Sequence, residues 1–230
     1  MDIFERRAAD FCYWRETRDP DRYGRLYEGL LPAPAGLALD VGCGGGPLSF
    51  HLADLGWTVL GIDLSRPMAA IAGRRALEMG SERTGFAQAD IERPPFAAAS
   101  FDLVVSDSVL HSTRMEVTLE RLKGLLRPGG TLLVTDAVDL TPGRRSSRLR
   151  QLSGTLRRAP GYVRRFGWST TVRLLSFEFD PGWIRHRIHD RQLAPDEFRS
   201  LFTRHFPGCT FLESGWTLTA RWVAPAPGLR

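Results

Sequence analysis

The decapeptide Leu37-Ala-Leu-Asp-Val-Gly-Cys-Gly-Gly-Gly46 joins a short apolar run to a glycine-rich turn. The apolar run is typical of a buried strand, and the glycines allow backbone conformations that other residues avoid. Pro47 follows, and proline suits the first turn of a helix because no backbone N–H is needed there. The sequence therefore predicts a strand, a tight turn and a helix over residues 37–55.

Further apolar runs alternate with helical patterns along the rest of the chain. We predict strands at residues 57–62, 84–89, 101–106, 131–135, 209–212 and 216–223, and helices at 66–79, 115–126 and from Pro195 onward. This alternation is typical of a parallel sheet with helices on both faces. Only Glu-Ser-Gly links the last two strands, which permits nothing but an antiparallel hairpin. The expected fold is α/β, mostly parallel, with one antiparallel strand.

Two segments flank this pattern without continuing it, residues 1–35 and residues 141–194. Residues 3–31 have the periodicity of amphipathic helices, and the second segment is partly helical. We expect a single domain over residues 1–230, in which these segments form an N-terminal helical cap and a lid over the ligand-binding edge. Both are rich in aromatic residues, which indicates packing within the cap or an apolar or aromatic substrate pocket.

The composition is that of a globular protein, with 43% hydrophobic and 25% charged residues among 230. No apolar stretch approaches the roughly 18–20 residues of a membrane span, and the charged start does not fit a signal peptide. Three cysteines, Cys12, Cys43 and Cys209, lie far apart without zinc-ligand spacing. We therefore expect a cytoplasmic protein with no metal site.

Nine arginines and no acidic residue lie between Thr141 and Leu175, whereas the rest of the chain has 22 basic and 26 acidic residues. Three interpretations of this arginine-rich segment remain open: a solvated helix face with Leu149, Leu152 and Leu156 as its apolar side, attraction of an acidic substrate, or binding of nucleic acid. Nucleic acid is the least favoured, because the remainder is acidic on balance and no RNA-binding module is evident.

Carboxylates stand at the ends of three successive predicted strands. Asp40 precedes the glycine turn, Asp63 closes the second strand, and Asp90 follows the third. The carboxyl ends of parallel strands meet at one edge of the sheet, where ligands bind. A carboxylate there can accept two hydrogen bonds from ribose hydroxyls, and another can accept from an adenine amine. The acids and the glycine turn together predict a nucleoside pocket.

A dinucleotide is not the expected ligand of this pocket. The pattern G-x-G-x-x-G would require a third glycine where Pro47 stands. Asp40 would repel a phosphate and favour a cationic group such as an ammonium.

Five motifs follow one another in order: Leu39-Asp-Val-Gly-Cys-Gly-Gly-Gly46, Gly61-Ile-Asp-Leu-Ser65, Gln88-Ala-Asp-Ile91, Ser100-Phe-Asp-Leu-Val-Val105 and Leu126-Arg-Pro-Gly-Gly-Thr-Leu132. They resemble the motifs of class I S-adenosylmethionine-dependent methyltransferases, in the version common among small-molecule enzymes with a type 11 methyltransferase domain. The resemblance covers about residues 37–136. It implies a Rossmann-like, seven-stranded sheet of order 3-2-1-4-5-7-6 with strand 7 antiparallel.

The same resemblance implies S-adenosylmethionine as cofactor and S-adenosylhomocysteine as product. The glycine turn would hold the methionine part of the cofactor, with Asp40 on its amino group, Asp63 on the ribose, Asp90 and Ile91 on the adenine, and Ser106 near the sulfonium. The residues expected to bind the cofactor are Asp40, Gly42, Cys43, Gly44, Asp63, Leu64, Asp90, Ile91 and Ser106.

We expect methyl transfer to an oxygen or nitrogen, rather than a carbon or sulfur, of a small molecule by in-line displacement. A histidine is the natural general base. His111 follows the fourth strand by five residues, and the alternative is a capping or packing role. His189 is the second candidate, with Asp190 orienting it. His186 and His189 make an unconvincing metal pair, because no third ligand is evident.

Three other functions remain open. An RNA methyltransferase could use the arginine-rich segment as a phosphate clamp, a nicotinamide-dependent oxidoreductase could use the nucleoside pocket, and a related protein could bind the cofactor without transferring the methyl group. We expect a small-molecule substrate, acidic or aromatic, with no membrane partner and nucleic acid disfavoured, and a monomer or homodimer.

Overall fold

Within residues 3–27, 29–141, 147–190 and 192–226, which the computed structural model describes, seven strands form one sheet. The strands are β1 (Leu37–Val41), β2 (Thr58–Asp63), β3 (Thr84–Gln88), β4 (Phe101–Asp107), β5 (Leu126–Ala137), β6 (Thr210–Ser214) and β7 (Thr217–Val223). Their order is β3-β2-β1-β4-β5-β7-β6. β7 runs antiparallel to β5 and β6, and the other neighbouring pairs are parallel. The expected fold class and strand order are confirmed.

Helices flank the sheet, and further helices make up the cap, defined as residues 3–27 together with residues 147–190. They are α1 (Ile3–Arg6), α2 (Ala8–Arg18), α3 (Arg22–Tyr27), α4 (Pro47–Asp54), α5 (Arg66–Met79), α6 (Met115–Leu125), α7 (Arg148–Glu178), α8 (Pro181–His189) and α9 (Pro195–His205), with a short 3-10 turn at Leu110–Ser112. In the described part of the chain, no helix has an apolar stretch that could cross a membrane.

Alternating side chains along the central strands divide the core between the two faces of the sheet. On one face, Leu39 and Val104 belong to an apolar cluster that includes α6 and α9. On the other face, Ala38 and Leu103 belong to a cluster that includes α3 and α4. Because helices cover both faces of the sheet, a ligand can reach it only at an edge, and the expected place is the carboxyl ends of the strands.

The segment between α6 and the predicted fifth strand is extended and belongs to that strand. β5 begins at Leu126, immediately after α6, where the sequence predicts a strand only from residue 131. The backbone of Gly129 donates to the carbonyl of Ala224, and Ala224 donates to the carbonyl of Gly130, at 2.9 and 2.8 Å. Pairing with the chain that follows β7 therefore keeps this glycine-containing segment in the sheet.

The cap is held together by a buried carboxylate and an aromatic cluster. Glu178, at the end of α7, accepts hydrogen bonds from Trp14 (2.9 Å), Tyr162 (2.8 Å) and Arg158 (2.7 Å). Around it pack aromatic residues from both predicted cap segments, including Phe177 and Trp14. Much of the aromatic content of the two segments is thus used to join them.

The arginine-rich segment lies mainly on α7, which Gly167 (φ +77°) divides into two helical parts. Leu149 and Leu156 do not form its buried side, since both are exposed. The buried side consists instead of Thr155, Tyr162, Thr171, Leu174, Phe177 and Glu178. Two arginines of this segment, Arg144 and Arg145, lie outside the described residues. The same holds for the other parts of the expected domain at residues 1, 2, 28, 142–146, 191 and 227–230.

Candidate active site

A cavity of about 680 Å³ lies at the carboxyl ends of β1, β2 and β4, beneath the cap. Its wall is formed by the glycine turn, by the ends of β2 and β3, and by the loop after β4. The cap contributes side chains of α2 and α8. One cavity thus joins the predicted nucleoside site to the histidines of the second cap segment.

The glycine turn fits closely against the loop after β4. Gly42, Gly44 and Gly46 all have positive φ values, of +71°, +53° and +88°. A Cβ atom on Gly42 would lie 2.2 Å from Cγ2 of Val109. The backbone N–H groups of Gly42 and Cys43 donate to the carbonyl of Ile62, which anchors the turn to β2. Only glycine therefore permits both the conformation and the close approach at position 42.

Asp40 is a buried carboxylate in the cavity wall. Its side chain accepts a hydrogen bond of 2.7 Å from the hydroxyl of Ser49. Burial raises the pKa of Asp40 to about 7, and the hydrogen bond from Ser49 opposes this shift. One hydrogen bond offsets little of the cost of burying the charge, so the ionised carboxylate favours a cationic ligand such as the predicted ammonium.

Asp63 ties the glycine turn to the end of β2. One carboxylate oxygen accepts from the backbone N–H of Gly44 at 2.9 Å, and the other accepts from Ser65 at 2.8 Å. Burial raises the pKa of Asp63 above its ordinary value, against these two hydrogen bonds. Each carboxylate oxygen keeps a second lone pair, so the carboxylate can still accept from two hydroxyl groups.

The far end of the cavity is lined by the residues predicted to contact adenine. Asp90 accepts from the backbone N–H of Glu92 at 2.9 Å, which holds the loop after β3 in place. Ile91 is buried beside it, and Leu64 is exposed at the rim. Cys43 is buried in the same wall. A flat apolar group with an amine at its edge would fit this end.

Ser106 is the exception among the predicted cofactor-binding residues, because it does not reach the cavity formed by the described residues. Its hydroxyl donates to the carbonyl of Val41 at 3.2 Å, between β4 and β1. The physical reason is that β4 continues to Asp107. Asp107, Ser108 and Val109 therefore occupy the position at the cavity that Ser106 was expected to have.

A buried cluster around Asp107, which the sequence patterns did not predict, fastens the cap to β4. Arg22 donates to both carboxylate oxygens of Asp107 at 2.9 and 2.8 Å, and Arg15 donates at 2.5 Å. Burial alone would raise the pKa of Asp107, but the two arginines lower it to about 2. Burial also raises the pKa of the neighbouring Tyr23 to about 12. Asp107 directly follows the predicted strand at residues 101–106, so a fourth acidic residue at the end of a strand was the sequence signal for this cluster.

His111 lies in the 3-10 turn after β4 and is held by Asp136 at the end of β5. The backbone N–H of His111 donates to one carboxylate oxygen at 2.9 Å, and Nδ1 lies 2.6 Å from the other. Nε2 faces Asp190 across 3.5 Å. Burial would lower the pKa of His111, but the hydrogen bond and charge of Asp136, and then the charge of Asp190, raise it above its ordinary value.

The residues of α8 are arranged differently from the expectation. Asp190 is turned toward His111 and does not orient His189, whose Nδ1 lies 2.8 Å from the carbonyl of Arg185. His189 is exposed and lines the cavity. The sequence showed no third metal ligand near His186. In the structure, one possible ligand atom from each of His111, His186 and Asp190 lies within 4.8 Å of the others.

Comparison with known proteins shows that the central part of the chain is similar to methyltransferases. Residues 39–134 match the model of a family described as a methyltransferase domain. The chain is 40% identical over 106 residues to malonyl-(acyl-carrier protein) O-methyltransferase of Enterobacter lignolyticus, covering 45% of this chain and 40% of that protein. It is 35% identical over 118 residues to nocamycin O-methyltransferase of Saccharothrix syringae, covering 50% of this chain and 42% of that protein.

A solved structure extends the likeness of fold to most of the chain. The crystal structure of an S-adenosylmethionine-dependent methyltransferase from Aquifex aeolicus aligns with a TM-score of 0.57 at 14% identity. The alignment covers 91% of this chain and 96% of that one. The chain spans between 40% and 61% of the length of the first curated relatives that it matches.

Proposed function

We propose that the protein transfers a methyl group from S-adenosylmethionine to an oxygen or nitrogen of a small molecule, because residues 39–134 match the model of a methyltransferase domain and the fold is similar to that of an S-adenosylmethionine-dependent methyltransferase. One observation carries this proposal: a single cavity connects Asp40 and the glycine turn to His111. S-adenosylmethionine supplies, when bound, a methyl group that is activated by its sulfonium sulfur.

The described residues fit this cofactor. Asp40 would accept from its ammonium group, since the carboxylate is buried and, of the residues that the structure describes, only Ser49 donates a hydrogen bond to it. The glycine turn lets the backbone lie close to the methionine part. Asp63 would accept from the ribose hydroxyls with its remaining lone pairs, and Asp90 with Ile91 would contact the adenine.

His111 is the side chain best placed to activate the acceptor. Nδ1 of His111 lies 2.6 Å from the carboxylate of Asp136, so in the neutral form of the ring Nδ1 donates to Asp136 and Nε2, which faces Asp190 in the cavity wall, has the lone pair. That nitrogen can take a proton from the acceptor. A lone pair of the acceptor then forms the new bond to the methyl carbon, while the pair of the breaking C–S bond goes to sulfur.

An oxygen acceptor on an apolar or aromatic molecule is the form of the proposal with most support. Both curated relatives described above are named O-methyltransferases. Phe4, Phe11 and Tyr23 line the cavity, and Arg15, a cation in its wall, is already paired with Asp107. The arginines of α7 do not line it, so the cavity as described offers little to an acidic acceptor.

The test is turnover with a defined acceptor panel. The protein is incubated with S-adenosylmethionine and phenols, enols, carboxylic acids, amines or RNA, and methylated product and S-adenosylhomocysteine are quantified by mass spectrometry. We expect product from a hydroxylated aromatic or enolic compound. Stabilisation by NAD and not by S-adenosylhomocysteine in a melting experiment would argue for an oxidoreductase instead.

A further inference from the structure

No residue that the structure describes makes a hydrogen bond to one carboxylate oxygen of Asp190. The side chain of Asp190 is only 7% exposed, and this oxygen, Oδ1, is buried. Its other oxygen accepts from Gln192 at 3.2 Å. Leaving a buried charged oxygen unsatisfied is costly, so such an atom commonly indicates a missing cation or donor.

Nε2 of His111 lies 3.5 Å from this oxygen and makes no hydrogen bond to it. A proton shared between these two atoms would draw them to about 2.7–3.2 Å, the length of a hydrogen bond. The opposite nitrogen of the same ring does make such a bond, at 2.6 Å.

The separation instead suits two ligands of one metal ion. Donor atoms about 2.1 Å from a tetrahedral metal ion lie about 3.4 Å apart. A ring nitrogen of His186 completes the group, since one donor atom from each of His111, His186 and Asp190 lies within 4.8 Å of the others. His186 stacks on Trp183 with ring centres 5.4 Å apart, which fixes its orientation.

We propose that His111, His186 and Asp190 bind a divalent transition-metal ion in the cavity. Two imidazoles and one carboxylate are the ligands of catalytic zinc sites and of related first-row metals, whereas magnesium prefers oxygen ligands. Asp136 is the positioning residue, because a metal-binding histidine usually donates its other N–H to a carboxylate. The remaining coordination positions are open to the cavity that these three residues line.

The role of the ion in catalysis rests on the proposed function, because it assumes a methyl acceptor. The binding of the ion depends only on the three ligands. A hydroxyl group of the acceptor would coordinate the ion, which lowers the pKa of the hydroxyl. The O–H bond breaks, the proton goes to water, and the oxygen keeps the electron pair with which it attacks the methyl carbon. In this form of the mechanism, Nε2 of His111 holds the ion rather than the proton.

Zinc binding to the full chain tests the site directly. Protein freed of metal with a chelator is titrated with Zn²⁺ in a calorimeter, and the zinc retained after dialysis is counted by mass spectrometry. We expect one zinc ion per chain. Asp190→Asn and His186→Ala should each weaken binding by about 10–100-fold or more, and Asp136→Asn by about tenfold. His189→Ala, three residues along the same helix, is the matched control and should bind zinc as the wild type does.

Affinity for S-adenosylhomocysteine, measured without zinc, separates this inference from the proposed function and shows that each variant is folded. Binding of S-adenosylhomocysteine without stoichiometric zinc would overturn the metal site alone. Zinc binding without S-adenosylhomocysteine binding would support the site and contradict the proposed function. Equal zinc affinity in the wild type, Asp190→Asn and His186→Ala would also overturn the inference, as would a loss found only in His189→Ala.

Discussion

The guanidinium group of Arg22 contacts both carboxylate oxygens of Asp107, although the two residues are 85 positions apart in the chain. Asp107 is buried, and Arg15 of α2 pairs with the same carboxylate. The end of β4 is therefore both a wall of the cavity and the point at which two cap helices are attached to the sheet.

We expect Asp107→Asn to lower the free energy of unfolding by about 3 kcal/mol, because two largely buried guanidinium groups would lose their counter-charge. Asp19→Asn, which removes the exposed pair with Arg25, should cost less than about 1 kcal/mol. Urea unfolding measures both. Because the pKa of Asp107 is lowered to about 2 in the folded state, its stabilisation is present above about pH 4 and is lost as the pH falls toward 2. Equal losses in the two variants would contradict the prediction.

Binding of S-adenosylhomocysteine should weaken below neutral pH. The pKa of Asp40 is about 7 in the free protein, and the ligand's ammonium group needs the ionised carboxylate. Affinity should therefore fall by up to about tenfold per pH unit as the pH drops below 7. Ser49→Ala removes the hydrogen bond that favours ionisation, so the fall should begin at a higher pH. Calorimetric titrations between pH 5.5 and about pH 8.5 measure this, and a dissociation constant independent of pH would refute it.

Asp63→Ala should weaken S-adenosylhomocysteine binding by on the order of 2–4 kcal/mol, because two charge-assisted hydrogen bonds to the ribose would be lost. Asp90→Ala is the matched comparison and should cost about 1 kcal/mol, since it removes one bond to a neutral amine. Calorimetry at one pH measures both variants. A larger loss of binding free energy in Asp90→Ala than in Asp63→Ala would indicate that Asp90 contacts the ribose and Asp63 the adenine.

Gly42→Ala should reduce both stability and cofactor affinity. The new methyl group would meet Val109, and alanine at φ +71° costs roughly 1 kcal/mol before that clash is counted. Gly73→Ala, in α5 with no atom within 4 Å of the new Cβ, should instead raise stability by up to about 1 kcal/mol. Thermal unfolding with and without S-adenosylhomocysteine tests this contrast. Similar melting temperatures in the two variants would show that the turn tolerates a side chain.

His111→Ala should lower the methyl-transfer rate by about 10²-fold or more while leaving S-adenosylhomocysteine affinity nearly constant, because in the proposed function His111 acts on the acceptor and not on the cofactor. His189→Ala should have a smaller effect, since that ring is exposed at the edge of the cavity. Single-turnover rates of both variants with one accepted substrate make the comparison. A larger loss in His189→Ala would move the activating residue to α8.

The sheet could be predicted from the sequence because its information is local. The apolar run before Gly42, the glycine turn and Pro47 determine one strand–helix unit without reference to the rest of the chain. The Ser65 N-cap of α5 is equally local, with its hydroxyl accepting from Met68. The short hairpin connection fixed the antiparallel direction of β7 in the same way.

The substrate side could not be predicted, because it depends on contacts between distant parts of the chain. Asp136 reaches His111 across 25 positions, and Asp190 belongs to a segment whose path no local pattern determines. The expected pairing of Asp190 with His189 relied on sequence proximity alone. Ser106 was predicted to line the cavity because the fourth strand was expected to end there. β4 is one residue longer, so Asp107 lines the cavity instead.

The hydrogen bond from Trp14 to Glu178 has a consequence for the order of folding during synthesis. It joins residues 164 positions apart, whereas β1 to β5 come from one continuous stretch, residues 37–137. During synthesis, α1 and α2 leave the ribosome with their aromatic side chains exposed and are covered only after the end of α7 has emerged. These helices are therefore made before the sheet but buried after it, which makes them a natural target for a chaperone.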